Sequence, residues 1–184
     1  MAVLTREAAA TRGDELALAD DDDTRTWAQL DIRVNRLVHA LRDAGLGPGD
    51  TISVVAGNRN EWFEVALACS HAGVVFVPVS WHLVAPEMAY IIEDSGSRAV
   101  LVGHRFTDVA AEALADPRSS AVELAVAIGA PDDTRFADFE AFLGSGSDAE
   151  PKDQAFGGPM FYTSGTTGHP KGVRSSLSSP EPGT

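Results

Sequence analysis

The sequence predicts an α/β protein in which crossover helices join the strands of a mostly parallel sheet. Three observations carry that prediction. Short β-branched runs alternate along the chain with segments of helical period. The run Val74-Val75-Phe76-Val77-Pro78-Val79 is apolar on both faces, as a strand covered on two sides must be. The composition, 44% hydrophobic and 22% charged over 184 residues, is that of a globular chain, and this length buries about 70% of the unfolded surface.

The first residues contain Arg6, Glu7, Arg12 and Asp14 and lack the apolar stretch of a secretory leader. Leu16-Ala17-Leu18 is a short apolar stretch, and Asp20-Asp21-Asp22-Asp23 after it reads as a solvated turn, because adjacent carboxylates repel. Thr26 and Gln29 have the spacing of a capping box. Leu30, Val34, Leu37, Val38 and Leu41 follow on one helical face, with Gly45 placed to end the helix. Gly47-Pro48-Gly49-Asp50 is a turn into a strand over 51–56. A helix over 61–72 is stopped by Gly73, and the strand over 74–79 carries Pro78 near its end. Pro86 suits the first turn of another helix, which carries Met88, Ile91 and Ile92 and precedes a strand over 98–102. Beyond His104 the period weakens. Val109, Ala113 and Leu114 indicate a helix, 122–128 a strand and 136–143 a helix, with Gly144-Ser145-Gly146-Ser147 as a flexible connector.

Several function classes are disfavoured by composition. A net charge of −13 argues against a nucleic-acid surface, although one loop in an acidic protein can still attract a nucleotide. Cys69 is the single cysteine, which rules out an intramolecular disulfide, and it shares a helical face with Trp62, Val65 and Ala66, so it is expected in the core. The five histidines have no ligand spacing, and no metal-ligating residue is assigned. No apolar run reaches the roughly 18 to 20 residues of a membrane helix, and the cytoplasm is the expected location.

One segment carries chemistry. Met160-Phe161-Tyr162 leads into Thr163-Ser164-Gly165-Thr166-Thr167-Gly168-His169-Pro170-Lys171-Gly172-Val173. Gly165, Gly168 and Gly172 let backbone N–H groups approach an anion, and the hydroxyls of Thr163, Ser164, Thr166 and Thr167 add donors. Lys171 supplies a point charge, and Pro170 stiffens the turn that presents it. Lys171 is followed by Gly172 rather than Ser or Thr, so the common P-loop pattern is absent.

The stretch from Tyr162 to Val173 resembles the signature phosphate loop of the adenylate-forming superfamily, with His169 at a position the family leaves variable. That superfamily includes acyl-CoA synthetases, luciferases and the adenylation domains of peptide synthetases. Val77-Pro78-Val79-Ser80-Trp81-His82-Leu83, continuing through Ala85-Pro86-Glu87 and Tyr90-Ile91-Ile92 to Asp94-Ser95-Gly96, is similar to bacterial acyl-CoA synthetases. So is Arg25-Thr26-Trp27-Ala28-Gln29-Leu30 with the later Gly45-Leu46-Gly47-Pro48-Gly49-Asp50. The resemblance spans nearly all residues from about Leu16 to Val173.

What the resemblance implies is an enzyme that joins a carboxylic acid to AMP, releases pyrophosphate and passes the acyl group to coenzyme A. ATP, magnesium and coenzyme A are the implied cofactors. Thr163, Ser164, Gly165, Thr166, Thr167, Gly168, Lys171 and Gly172 are implied to hold the β- and γ-phosphates, with Lys171 neutralising charge rather than attacking. Tyr162 is expected to anchor the strand into the loop. Catalytic and magnesium-binding residues of similar enzymes lie after this loop, and none is assigned here. Residues 1–173 are accordingly expected to be an incomplete AMP-binding N-terminal domain, 174–184 a frayed Ser/Pro/Gly-rich tail, and the C-terminal lid domain absent. The family's loop normally leads into a helix, which Pro180 and Pro182 oppose. Such a fragment is expected to be inactive alone, with open sheet edges and exposed apolar faces. Two alternatives stay open: a non-catalytic nucleotide- or partner-binding module, and a ligase that stops at acyl-adenylate or uses a carrier-protein thiol. A homo-oligomer is likewise open. The acid is unassigned, and Trp81 and His82 are read as packing at a strand end.

Overall fold

The structure, a computed structural model, describes residues 2–129, 133–163 and 168–174. The chain runs α1 (Ala2–Arg12), β1 (Leu16–Ala19), β2 (Thr24–Thr26), α2 (Trp27–Asp43), β3 (Thr51–Val55), α3 (Asn60–Ala72), β4 (Val75–Pro78), α4 (Ala85–Ser95), β5 (Ser97–Gly103), α5 (Thr107–Ala115), β6 (Leu124–Ile128), β7 (Ala137–Asp138), α6 (Phe139–Gly144), β8 (Gly158–Thr163) and β9 (Lys171–Arg174). The expected α/β class is what forms. Seven strands make one sheet in the order β7-β6-β5-β3-β4-β8-β9, parallel throughout except for the terminal β8–β9 hairpin.

Period-2 alternation in the strands divides the core into two layers. Ile52, Val54, Phe76, Ala99 and Leu101 face α2, α3 and α6. Val55, Val77, Val100 and Val102 face α4 and α5. The sheet therefore winds in opposite directions from β3, with β4 on one side and β5 on the other. Thr26 and Gln29 form the capping box, the Thr26 N–H donating to Gln29 Oε1 at 2.9 Å and the Gln29 N–H to Thr26 Oγ1 at 3.3 Å. The whole predicted α2 stripe is buried. Gly73 ends α3 in the left-handed conformation at φ +78°. Cys69 is fully buried, and burial pushes its thiol pKa up, so it belongs to the core as expected.

One element was not foreseen, and three local readings need correction. The Ala-rich start is helix α1, which has no sharp apolar stripe to announce it and packs on α2, with the Arg12 guanidinium 4.7 Å from the centre of the Trp27 ring. The acidic run is more than a solvated turn between β1 and β2: Asp20 accepts from the N–H groups of Asp22 and Asp23 at 2.9 and 2.8 Å and from the Asn60 N–H at 2.8 Å. A carboxylate is thus set at the start of α3, where the free N–H groups and the helix dipole favour an anion and Arg59 gives no side-chain cap. The helix expected over 136–143 begins only at Phe139, because Ala137–Asp138 adds a strand to β6 and Asp138 Oδ1 caps the helix through the Ala141 N–H at 2.8 Å. The connector at 144–147 is packed against α2 rather than free: a Cβ on Gly146 would stand 2.0 Å from the Arg36 carbonyl oxygen.

A charged network joins the elements on one face. Glu64 of α3 is wholly buried, and Arg33 of α2 grips it through Nε and Nη2 at 2.7 and 3.0 Å. Arg25 Nε donates to the same carboxylate at 3.2 Å and also pairs with Asp23. Arg33 continues to Glu140 of α6 at 2.6 and 2.9 Å. Burial opposes the Arg33 charge, but the hydrogen bonds it donates to Glu140 and Glu64 outweigh it and raise the guanidinium pKa.

Depressed carboxylates set the expected response to acid. The Asn60 N–H holds Asp20 below its ordinary value, and Arg33 does the same for Glu140. At Asp116 the bidentate Arg118 side chain brings the pKa to about 2. Each folded pKa lies below the unfolded value of about 4, so this stabilisation is present above pH ~4 and is lost as pH falls towards 2. Asp31, raised by burial and by Glu150, runs the other way. Thermal melts should be flat in Tm near pH 5–6 and fall steadily between pH 4 and 2. A Tm unchanged down to pH 2.5 would contradict this assignment.

Candidate functional site

The predicted phosphate-loop residues sit at the carboxyl end of β8, the end at which parallel sheets place their binding loops. Parallel pairing of Val75 with Gly158 and of Phe76 with Pro159 fixes β8 beside β4. The chain then returns as β9, with Thr163 opposite Lys171, Tyr162 opposite Gly172, Phe161 opposite Val173 and Met160 opposite Arg174. Thr163 and Lys171 are thereby brought face to face at the mouth of the hairpin. Gly168 has φ +143°, a conformation that L side chains rarely adopt. Ser164, Gly165, Thr166 and Thr167 lie outside the described residues, as does the expected tail from residue 175 onward. Among the described residues Lys171–Arg174 is the last strand of the sheet rather than the start of a helix, and Phe161 of β8 and Val173 of β9 are 51% and 52% exposed.

Alternation along β8 decides how the hairpin is held. Met160 and Tyr162 turn inward onto the layer that contains α4, while Phe161 and Thr163 turn out. The Tyr162 hydroxyl donates to Asp94 Oδ2 at 2.6 Å, and its ring crosses Gly172, where a Cβ would meet the ring at 3.2 Å. Burial first, and then the Asp94 hydrogen bond and charge, push the Tyr162 pKa up, so the phenol remains a donor. Tyr162 is therefore an anchor, as expected. A second attachment was not foreseen. The Tyr90 ring stacks on His169 with centroids 4.7 Å apart at 29°, and the Tyr90 hydroxyl donates to the Pro170 carbonyl at 3.0 Å. Tyr90 and Asp94 are one turn apart on α4, an i, i+4 spacing legible in the sequence, but nothing there says what they meet.

A cavity of about 380 Å³ lies under this stack, lined by Leu83, Pro86, Glu87, Tyr90, Ile91, Arg118 and the loop residues Gly168, His169 and Pro170. Arg118 within it is bound to Asp116 at 2.8 and 3.0 Å. Trp81 and His82 are exposed and stand outside the cavity lining, Trp81 stacking on Phe106 at 5.3 Å in keeping with a packing role. A smaller cavity of about 190 Å³ opens at the carboxyl ends of β3 and β5, between Asp20–Asp22, Gly57–Arg59 and Gly103–Phe106. Among the described residues no group of three or more His, Cys, Asp or Glu side chains is arranged to hold a metal, and no helix is long and apolar enough to cross a membrane.

The donor chemistry fits a polyphosphate. Lys171 is exposed, and among the described residues no carboxylate forms an ion pair with it, so its charge is uncommitted. Thr163 offers a hydroxyl directly across the hairpin. Comparison with known proteins bears on the family. The fatty acid–[acyl-carrier-protein] ligase ScoC of Streptomyces coeruleorubidus is 38% identical over 154 residues, 82% of this chain and 28% of that protein. The 3-oxocholest-4-en-26-oate–CoA ligase of Rhodococcus rhodochrous is 32% identical over 167 residues, 87% of this chain and 30% of the relative. The chain thus spans about three tenths of the length of these curated relatives. Among solved structures, the anthranilate CoA ligase AuaEII in complex with anthranoyl-AMP superposes with a TM-score of 0.86 over 94% of this chain and 33% of its own, at 22% identity, a likeness of fold. The N-terminal domain of FACL13 from Mycobacterium tuberculosis gives a TM-score of 0.78 at 30% identity over 94% of this chain and 43% of its own. The AMP-binding enzyme profile matches residues 5–179, nearly the whole sequence, and the chain belongs to that family.

Proposed function

We infer that this chain supplies the phosphate-binding face of an ATP-dependent acid–thiol ligase. In the reaction, a carboxylate oxygen bonds to the α-phosphorus of ATP, the bond to the departing pyrophosphate breaks, and a thiol later displaces AMP from the acyl-adenylate. The observation that carries the reading is the uncommitted Lys171 ammonium held in register with Thr163 at the mouth of the β8–β9 hairpin. Lys171 would offset charge on the β- and γ-phosphates, and Thr163, Ser164, Thr166 and Thr167 would donate hydroxyls to them. Gly168, where a Cβ would meet nothing within 4 Å, leaves room for close backbone approach, and Gly165 and Gly172 are proposed to contribute backbone N–H groups. Donors fixed before reaction stabilise the leaving group without reorganising, which is where such sites gain most of their rate. Magnesium would share that charge, and coenzyme A would supply the accepting thiol.

The acceptor divides the relatives. ScoC carries a carrier-protein ligase name, whereas the Rhodococcus relative is named a CoA ligase, so a carrier-protein thiol is a reading alongside coenzyme A. Because those relatives are some three times as long, residues 1–184 by themselves are proposed to bind ATP without completing turnover, as an incomplete domain over 1–173. The cytoplasm is the proposed setting. Titration of the purified chain with magnesium-ATP by calorimetry tests the reading. Lys171→Ala is expected to weaken binding about 10- to 100-fold, the worth of a charge-assisted hydrogen bond of roughly 1.5–3 kcal/mol. Equal affinity for the variant and the natural chain would remove the assigned role of the lysine. Acyl-AMP made from ATP and any acid by residues 1–184 would refute the incomplete-domain proposal.

A further inference from the structure

The geometry points to a clasp on α4, in which Tyr90 and Asp94 are positioning residues that hold the phosphate loop, and His169 is the loop's own contribution to it. This rests on the phosphate-binding reading above and names what sets the position of Lys171. Among the described residues, Lys171 stands in the last strand of the sheet and pairs with β8 alone. β8 is anchored by its pairing with β4, so the position of β9 and of the loop depends on that one ladder and on whatever packs against the hairpin from outside the sheet. Among the described residues, α4 supplies three attachments. Two are hydrogen bonds, Tyr90 to the Pro170 carbonyl at 3.0 Å and Tyr162 to Asp94 at 2.6 Å. The third is the Tyr90–His169 stack at 4.7 Å.

Their placement gives them leverage. Pro170 immediately precedes Lys171, and Tyr162 lies directly opposite Gly172, so the attachments bracket the lysine on both sides. Tyr90 and Asp94 are one helical turn apart, which makes the two hydrogen bonds parallel struts from a single rigid helix. The helix α4 is itself seated on the core through the buried Met88, Ile91 and Ile92. The clasp therefore has a rigid base, and the loop residue that completes it is a ring. At position 169 any flat ring can stack on Tyr90, whereas alanine cannot.

Hydrogen exchange of the amides of residues 171–174 tests the clasp without any ligand, and magnesium-ATP titration of the same samples tests positioning. His169→Ala is expected to speed exchange about 2- to 10-fold by loss of the aromatic pair, and His169→Phe to restore it to within about twofold. Tyr90→Phe should have an effect of similar size through the lost hydrogen bond to Pro170, and Tyr162→Phe one of about 10-fold or more, since its acceptor is a carboxylate. None of the three positions is buried in the core, and unchanged near-neutral melts will show that each variant folds. ATP affinity should fall in the same order, with His169→Phe recovering it. Unchanged exchange in His169→Ala and Tyr162→Phe would overturn the clasp, whatever ATP does. Faster exchange with full ATP affinity would overturn the positioning role. If the natural chain binds no ATP, the phosphate reading fails and positioning with it, while the exchange rates still decide whether α4 holds the hairpin.

Discussion

Replacing Glu64 with alanine is expected to destabilise the fold by about 3–5 kcal/mol, the usual result of removing one partner from a buried ion pair. Glu64 is 0% exposed and holds Arg33, which is 15% exposed, and Arg25, which is 12% exposed. Without the carboxylate, two guanidinium groups stand side by side in a part of the structure that water reaches poorly, with Glu140 and Asp23 left to serve them from the rim. The loss should spread beyond α3, since the same network ties α2, α6 and the β1–β2 hairpin to one face of the sheet. Glu64→Gln keeps the shape and one acceptor oxygen and should lose less. Arg33→Met in the Glu64→Leu background removes charge from both sides and should recover part of the stability, because apolar replacement of a buried pair is often neutral. Urea unfolding of the natural chain, Glu64→Leu, Arg33→Met and the double variant closes the cycle, with Glu64→Ala and Glu64→Gln measured beside them. A loss under about 1 kcal/mol for Glu64→Ala would mean that the network contributes no more than an exposed salt bridge.

What the sequence disclosed and what it withheld divide along one physical line, the distance over which a pattern acts. The Thr26–Gln29 capping box, the α2 stripe and the doubly apolar Val74–Val79 run are written within a few residues, and they were legible. The proposed phosphate loop stands out for the same reason, as one continuous motif whose residue types suit an anion. The interactions that were not legible join residues far apart. Asp20 reaches the start of α3 across 40 positions, and Arg33 reaches Glu140 across 107. The Glu64 network looks in the sequence like ordinary surface charge, because only the packing of three helices reveals that its centre is dry. At the site, Thr163, Gly168, Lys171 and Gly172 were picked out by the motif. Tyr90 and Asp94 meet the hairpin across 80 and 68 positions, and no local pattern marks them as its supports. Gly146 illustrates the opposite error. A glycine in a Ser/Gly stretch suggests freedom, yet here it is required because a helix carbonyl occupies the space of a side chain.

The same principle gives Gly157→Ala the other large expected effect. A Cβ at this position would lie 2.1 Å from the Val74 carbonyl oxygen, 2.2 Å from the Cys69 carbonyl oxygen and 2.7 Å from the Val74 nitrogen. All three are backbone atoms. Cys69 and Val74 cannot yield easily, because the Val74 N–H already donates to the Cys69 carbonyl at 3.0 Å where α3 turns into β4. The segment carrying residue 157 must move instead. Doing so breaks the Gly157 N–H bond to the Ser70 carbonyl and shifts the pairing of β8 with β4, which starts at the next residue. Overpacking ordinarily costs about 1–3 kcal/mol, and a clash with fixed backbone belongs at or above the top of that range. Gly158→Ala is the control, since a Cβ there meets nothing within 4 Å. It should stay within about 0.5 kcal/mol of the natural chain. The pair also separates fold from site. Because β8 carries Thr163 and pairs with the strand carrying Lys171, Gly157→Ala should weaken ATP binding together with stability, whereas Gly158→Ala should leave both intact. Urea midpoints and ATP titrations on the two variants measure this. If both alanines were equally tolerated, the close approach of residue 157 to the end of α3 would be wrong, and with it the placement of the hairpin that presents the loop.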